Sequence, residues 1–509
     1  MIELTLAELA EIVGGRLHLA DPAATVTGSV EFDTRALTPG SLFLALPGER
    51  VDGHDFAAQA VESGAVAVLA AREVDAPSIV VPPLADGEAH ERSVALTGDK
   101  DGSGAAVLAA LGKLARHVII ELTAVDPPVR GLTVVGVTGS SGKTSTKDLI
   151  AQLLEPLGTT VAPPGSFNNE LGHPWTALRA DTSTRHLVLE LSARGPGHIA
   201  ELAAIAPPRI GVVLNVGTAH VGEFGSRDGI AKTKGELVEA LPSETDGGVA
   251  ILNFDDPLVA AMASRTRARV VGVGESPAAH VRAVDVKLDD EARASFRLVT
   301  QAGEADVKLP LHGEHHVGNA LSAAAVALEL GAGVDEVAAR LSTVERRSAR
   351  RMEVTTRPDG VTIVNDSFNA NPESMRAALK SLASMSTKRR AWAVLGVMGE
   401  LGEDTVTAHD DIGRLVVRLN IGKLIVVGES AAAMHHGATQ EGSWGEESTL
   451  VPDAEAAIAL LHDQLQPGDV VLVKASKVAK LWRVADALLA PETAFPSSNS
   501  SDSANGGDA

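Results

Sequence analysis

One stretch limits what this chain can fold into: residues 132–158, LTVVGVTGSSGKTSTKDLIAQLLEPLG. Val134, Val135 and Val137 form a β-branched apolar run of the kind a buried parallel strand uses. After the turn, Leu149, Ile150, Leu153, Leu154 and Leu157 recur at helical spacing. Between them lies Gly139-Ser140-Ser141-Gly142-Lys143-Thr144-Ser145. A strand, a glycine-rich turn and a helix are the context a phosphate-binding loop requires. Glycines let backbone N–H groups close round phosphate oxygens, and the helix N-terminus adds partial positive charge. Lys143 would reach the outer phosphates and the Thr144 hydroxyl would ligate Mg²⁺. The spacing departs from Gly-x4-Gly-Lys-Ser/Thr, because position 137 is Val and glycines stand at 136 and 139. A tight turn with a surface lysine is the plainer reading, but both flanks fit a phosphate loop. The chain reads as binding a nucleoside triphosphate.

With 509 residues, the prior is about three domains, each able to bury its own core. Hydrophobic residues make up 45%, so most of the chain should fold. No cysteine is present, which excludes disulfides, thiolate metal sites and a cysteine nucleophile. The opening MIELTLAELAEIVGG lacks a basic segment and does not read as a signal peptide. Apolar stretches are broken by Glu, Gly or Arg before reaching membrane-spanning length, so a soluble, cytoplasmic protein is expected. A net charge of −22 argues against a nucleic-acid partner but not against a small anionic substrate. Aromatics are 3% and tyrosine is absent, which leaves no stacking platform for single strands.

Residues 1–108 read as a small α/β unit, with helices over 4–13 and 56–63 and strands over 41–46 and 64–69. Asp33-Thr34-Arg35 and Asp52-Gly53-His54 are loop groups near strand ends; on composition alone they are a solvated loop with a salt bridge. A helix over 105–121 leads into the central domain, placed at 109–340. There, two apolar strands end in polar groups, the first in Glu190 before Ser192. The second ends in Asn215 before Ala219-His220. A carboxylate at a strand end suits a hard cation, though a salt bridge is the commoner use. Gly165-Ser166-Phe167-Asn168-Asn169 is an amide-rich loop, and His315-His316 precedes Asn319 and an Ala-rich helix. The histidine pair lacks metal-site spacing. A third α/β domain is placed at 341–491, opened by Arg346, Arg347, Arg350 and Arg351. Its alternating strands and helices imply a Rossmann-like parallel sheet, without a dinucleotide glycine motif. Residues 492–509 form a Ser/Asn/Gly/Asp-rich tail expected to be disordered.

Taken in order, Thr138-Gly139-x-x-Gly142-Lys143-Thr144, Glu190, Asn215-x-x-x-Ala219-His220 and Asn319 resemble the Mur ligases. These are ATP-dependent amide-forming enzymes of peptidoglycan precursor synthesis, and the displaced glycine is that family's own form of the loop. The resemblance covers all but the tail. Further segments resemble the branch that adds D-Ala-D-Ala: Asp33-Thr34-Arg35, Phe167-Asn168-Asn169, Asp366-Ser367-Phe368-Asn369-Ala370-Asn371-Pro372 and Gly396-x-Met398-x-Glu400. The Asp-Asn-Pro-Arg of the diaminopimelate-adding branch is absent. Phe368 replaces the usual Tyr, and Lys474-Ala475-Ser476-Lys477 replaces Lys-Gly-Ser-Arg.

The resemblance implies a phosphate loop of Gly139, Ser140, Ser141, Gly142, Lys143, Thr144 and Ser145, completed by Asn319 at adenine, Asp366 at ribose and Arg351 at the γ-phosphate. It implies two Mg²⁺ ions held by Thr144, Glu190, His220 and a carbamylated Lys234, with Lys232 two residues away. Asp33, Thr34, Arg35, Asn168, Asn169 and Ser192 would contact the UDP-muramoyl tripeptide, and Asn369 and Asn371 the substrates at the C-terminal domain. Lys474 or Lys477 would pair the carboxylate of D-Ala-D-Ala. No nucleic acid or membrane partner is implied, and a monomer is expected. A folylpolyglutamate synthetase-like ligase would lack the first hundred residues. A nucleotide-gated binding module would lack a metal or charge-neutralising group.

Overall fold

The structure is a computed structural model and describes residues 1–84, 99–124, 131–218, 224–442 and 447–490. Among the described residues three large sheets, of nine, six and five strands, carry it, beside one two-stranded pair. The strand expected after residue 132 is Thr133–Thr138, buried throughout, and lies inside a nine-stranded sheet. Ile210–Val213 flanks it on one side and His186–Glu190 on the other, both parallel to it. The chain leaves Thr133–Thr138 for the edge strand Thr160–Val161, returns to His186–Glu190, then crosses to Ile210–Val213. The order therefore reverses at the phosphate-loop strand, and the crevice above its carboxyl end is where such sheets bind ligands. Val249–Asn253 and Arg269–Gly274 extend the parallel side, followed by Val281–Leu288, Arg293–Thr300 and Gly303–His312, the last two joined antiparallel. Helix Lys143–Leu154 covers one face through Leu149, Ile150, Leu153 and Leu154, beside the Ala-rich helix His316–Glu329.

The first residues form a five-stranded sheet that includes Ser41–Leu44 and Ala65–Ala70. Helix Leu6–Val13 opens on a Thr5 capping box, so the expected helix over 4–13 starts two residues late. Helix Ser103–Ala124 is continuous through the boundary expected at 108 and 109. Its apolar residues are buried along most of its length against both the first helix and the central domain, so no break in packing marks that point. Trp175 fastens the N-terminal sheet to the central one. Its indole N–H donates to the Val30 carbonyl at 2.8 Å, and its ring packs with Phe32 and Phe167 at 5.7 and 4.9 Å.

The last domain is a six-stranded sheet, parallel except for Glu353–Thr356 at its edge, with Val470–Lys474 between Thr362–Asn365 and Ala391–Leu395. The carboxyl ends of these strands face the central crevice. The tail expected at 492–509 lies outside the described residues, as does His220.

Candidate active site

The phosphate loop is shaped by close packing and by one asparagine. Gly142 caps helix Lys143–Leu154 with φ 83, a left-handed conformation, and a Cβ there would sit 2.8 Å from Asn319 Oδ1. Gly139 is pressed against Leu214 in the same way, at 2.9 Å. Asn215 ties the loop down: its Oδ1 accepts from Ser141 N–H at 3.0 Å, and its carbonyl accepts from Ser140 N–H at 3.1 Å. Lys143 Nζ donates to the Gly139 carbonyl at 2.6 Å, so the ammonium arches over the loop. Burial pulls Lys143 below the usual lysine range, against the pull of Glu190, and Arg351 pushes it down further.

Glu190 is fully buried at the end of its strand. Asn168 Nδ2 donates to its Oε2 at 3.2 Å, while Oε1 is buried without a hydrogen-bond partner. An anionic oxygen left bare in the interior is costly unless a cation meets it. The Thr144 hydroxyl belongs to a residue just as buried, at the start of the helix. These two groups fit a magnesium ion in donor chemistry. Lys234 is also buried, and burial, then the charge of Lys143, lowers its ammonium well below the ordinary value. Its neighbour Lys232 is exposed.

A cleft of about 590 Å³ joins the loop, Asn168, Ser192, Lys234 and Asn319 to Arg351, Asp366, Phe368, Asn369 and Asn371 of the C-terminal side. Arg351 lies over the Phe368 ring, 4.2 Å from its centroid. Burial lowers its guanidinium, while Glu190, Asp366 and Asp148 oppose that shift. Asp366 accepts from Met352 N–H at 3.0 Å and from Lys474 Nζ at 2.6 Å. Ser192 Oγ donates to the Asn168 carbonyl at 2.9 Å, joining the two strand-end loops.

Several of the expected contact residues already hold protein groups or lie outside the cleft. Lys474 is buried and its ammonium is shared between Asp366 and the Asn369 carbonyl, so it is not free for a substrate carboxylate. Asn371 caps helix Pro372–Met385 through Oδ1 and donates from Nδ2 to the Ser140 carbonyl at 3.2 Å; both ends of its amide hold protein. Asn169 Oδ1 accepts from Gly172 N–H at 2.9 Å, a local turn bond. Asp33, Thr34 and Arg35 lie outside the cleft walls; Arg35 is exposed and paired with Asp33, whose carboxyl that pairing holds at about 2. His54 latches its own loop between Asp52 and Ala71 N–H. Glu373 escaped the sequence reading: its Oε1 accepts from Thr218 N–H and Oγ1 at 2.7 and 2.9 Å, docking the two domains. Only its place just after Asn371-Pro372, in the first turn of a helix, gave a signal.

Comparison with known proteins bears on this arrangement. Models of three Mur ligase domains match it in order: the Mur ligase family catalytic domain over residues 14–114, the middle domain over 137–327 and the glutamate ligase domain over 350–477. The chain belongs to the Mur ligase family. Among Mur ligases it is 57% identical to the UDP-N-acetylmuramoyl-tripeptide–D-alanyl-D-alanine ligase of Mycobacterium tuberculosis, covering 97% of this chain and 99% of that one. The like-named Escherichia coli protein is 34% identical, with 96% and 99% covered. A crystal structure of MurF from Acinetobacter baumannii superimposes with a TM-score of 0.80 at 29% identity, covering 96% and 99%. MurF ligase from Thermotoga maritima, solved in complex with ADP, gives 0.73 at 29% identity over 91% and 97%.

Buried histidines, some at the cleft and some away from it, should make this Mur ligase acid-sensitive. Burial pulls His173, His186 and His315 down to about 4, and His316 well below its ordinary value. Unfolded histidines titrate near ~6.5. Folding therefore favours the neutral rings, and their contribution is complete above that pH and lost as pH falls from ~6.5 towards 4. The urea midpoint should drop more steeply through that window than between pH 8 and 7, where the depressed lysines contribute a slope. A level midpoint down to pH 4 contradicts the burial.

Proposed function

We propose that this Mur ligase joins D-Ala-D-Ala to a UDP-N-acetylmuramoyl-tripeptide, with ATP converted to ADP and phosphate. The observation that carries the reading is the cleft itself, which gathers a phosphate loop, Asn168 and Ser192 beside Glu190, Arg351 and Asp366 round one space. The N-terminal domain, assigned to residues 1–108, takes the UDP end of the substrate. The central domain at 109–340 holds ATP phosphates, and the domain at 341–491 supplies ribose and amine contacts.

In the reaction, an oxygen of the peptide's terminal carboxylate attacks the γ-phosphorus and the bond to ADP breaks. The amine of D-Ala-D-Ala then attacks the acyl phosphate carbon; phosphate leaves with the bonding pair, and the new nitrogen sheds a proton to become the amide. Anion-to-anion transfer is limited by repulsion and positioning. Lys143 and Arg351 supply positive charge to the γ-phosphate from opposite walls, and Asn319 and Asp366 orient adenine and ribose. Asn168 steadies Glu190, and Ser192 shares the Asn168 loop facing the muramoyl peptide. Thr144 and Glu190 would hold Mg²⁺, with His220 and Lys234 on a second ion; bound there, magnesium neutralises phosphate charge. Closure of the domains over the acyl phosphate excludes water.

Lys234 fits that role only in modified form, since an ammonium would repel a cation. Burial beside Lys143 favours its neutral amine, which can attack CO₂ and lose a proton to give an anionic carbamate. With Lys474 held by Asp366, the cation left for the dipeptide carboxylate is Lys477, exposed on the cleft wall beside Val478. Among the described residues no helix is long and apolar enough to cross a membrane.

An amine screen for ADP release with the UDP-muramoyl tripeptide tests the reading. Turnover should be at least ~100-fold faster with D-Ala-D-Ala than with D-Ala, L-Ala-L-Ala or diaminopimelate. Equal turnover with diaminopimelate and the shorter UDP-muramoyl dipeptide would move the chain to a different ligation. For the carbamate, Lys234→Ala should lose most activity and regain part of it with added formate or acetate, while Lys232→Ala stays mild. Rescue confined to Lys232→Ala would reassign the modified lysine.

A further inference from the structure

Arg351 enters the cleft from the linker between the central and C-terminal domains, and that linker is not relaxed. Its neighbours Arg350 and Met352 both have positive φ, at 60 and 47. Non-glycine residues in that region crowd Cβ against the carbonyl and persist only where their surroundings hold them. Two sets of contacts do so here. From the central domain, Asp148 Oδ2 accepts from Ser348 Oγ at 2.6 Å in a buried position. Asp148 lies one turn beyond Thr144 on the phosphate-loop helix, so the two side chains share a face. Its other oxygen is held by buried Lys147, which also donates to the Pro163 carbonyl at 2.8 Å.

From the C-terminal domain, the Phe368 ring underlies the guanidinium, and Phe368 N–H donates to the Arg350 carbonyl at 3.2 Å. Arg351 Nε is buried and has no acceptor. Its guanidinium is thus fixed by stacking and by its backbone, not by an ion pair that a phosphate would have to displace.

We propose that Asp148, Ser348 and Phe368 are positioning residues that clamp Arg351 from both domains and set it against the phosphate loop when the domains dock. The clamp rests on the reading of Arg351 as a γ-phosphate contact. Because Asp148 and Thr144 share a helix face, the same element that presents the phosphate loop also sets the arginine. The two walls of the site are then in register by construction.

Steady-state kinetics on Ser348→Ala, Phe368→Leu and Arg351→Lys, alone and paired, test this. Ser348→Ala and Phe368→Leu should each lower kcat about tenfold while changing the KM for ATP by less than about threefold, the signature of a contact that matters in the transition state. In the Arg351→Lys background, which lacks the planar fork, either change should cost less than about twofold more, because both act through that side chain. Thermal melts of each variant separate loss of fold from loss of position. Multiplying losses in the paired variants, or wild-type kcat in both single ones while Arg351→Lys is impaired, would overturn the clamp. Wild-type turnover in Arg351→Lys and Arg351→Ala would overturn the assignment of Arg351 instead. Should Ser348→Ala fail to fold, Phe368→Leu carries the same comparison.

Discussion

One amide joins the two halves of the catalytic cleft. Asn371 caps its own helix with Oδ1 and gives Nδ2 to the carbonyl of Ser140, inside the phosphate loop. Two residues on, Glu373 receives the Thr218 backbone and hydroxyl, and Gly217 lies so close that a Cβ would fall 2.4 Å from the Glu373 carboxyl carbon. Such bonds work only at contact distance, so they hold the carboxyl ends of two parallel sheets face to face. The placing of Arg351 and Asp366 opposite the phosphate loop depends on that register.

The cleft this docking closes is poor in internal pairing. Glu190 keeps an oxygen bare, Arg351 keeps a nitrogen bare, and Lys234 is buried beside another lysine. Unpaired buried charge opposes folding, and a chain selected for stability alone would pair or remove it. Here the deficits complement one another around the space assigned to phosphates, metal and carbamate. The surrounding cores carry the stability. Val135, Val137, Ile150 and Leu153 are fully buried beneath the loop, and Trp392 is fully buried in the last domain.

Local order made much of this readable in the chain. Strand, turn and helix around Gly142 and Lys143 are contiguous, and the glycine, the lysine and the apolar spacing all point one way. The strand-end Glu190 and the Asn215 turn were legible for the same reason. What escaped were pairings between distant positions. Lys474 meets Asp366 across 108 residues and Ser348 meets Asp148 across 200, and no local pattern encodes either. The three antiparallel strands from 281 to 312 did leave a period-two signal. Phe296 and Leu298 are buried while Arg297 between them is exposed, and Val307 and Leu309 bracket Lys308 likewise. Helix Ser103–Ala124 runs unbroken through the boundary expected at 108, since a helix buried along both domains carries no composition break.

The central claim is that the cleft transfers phosphate to a carboxylate before an amide forms. Oxygen tracing tests that most directly. The UDP-muramoyl tripeptide would carry ¹⁸O in its terminal carboxylate, and the phosphate released with D-Ala-D-Ala and ATP would be weighed by mass spectrometry. One labelled oxygen should pass to each phosphate, because the attacking carboxylate oxygen leaves with it. Unlabelled phosphate, with the displaced labelled oxygen recovered in water instead, would contradict the account.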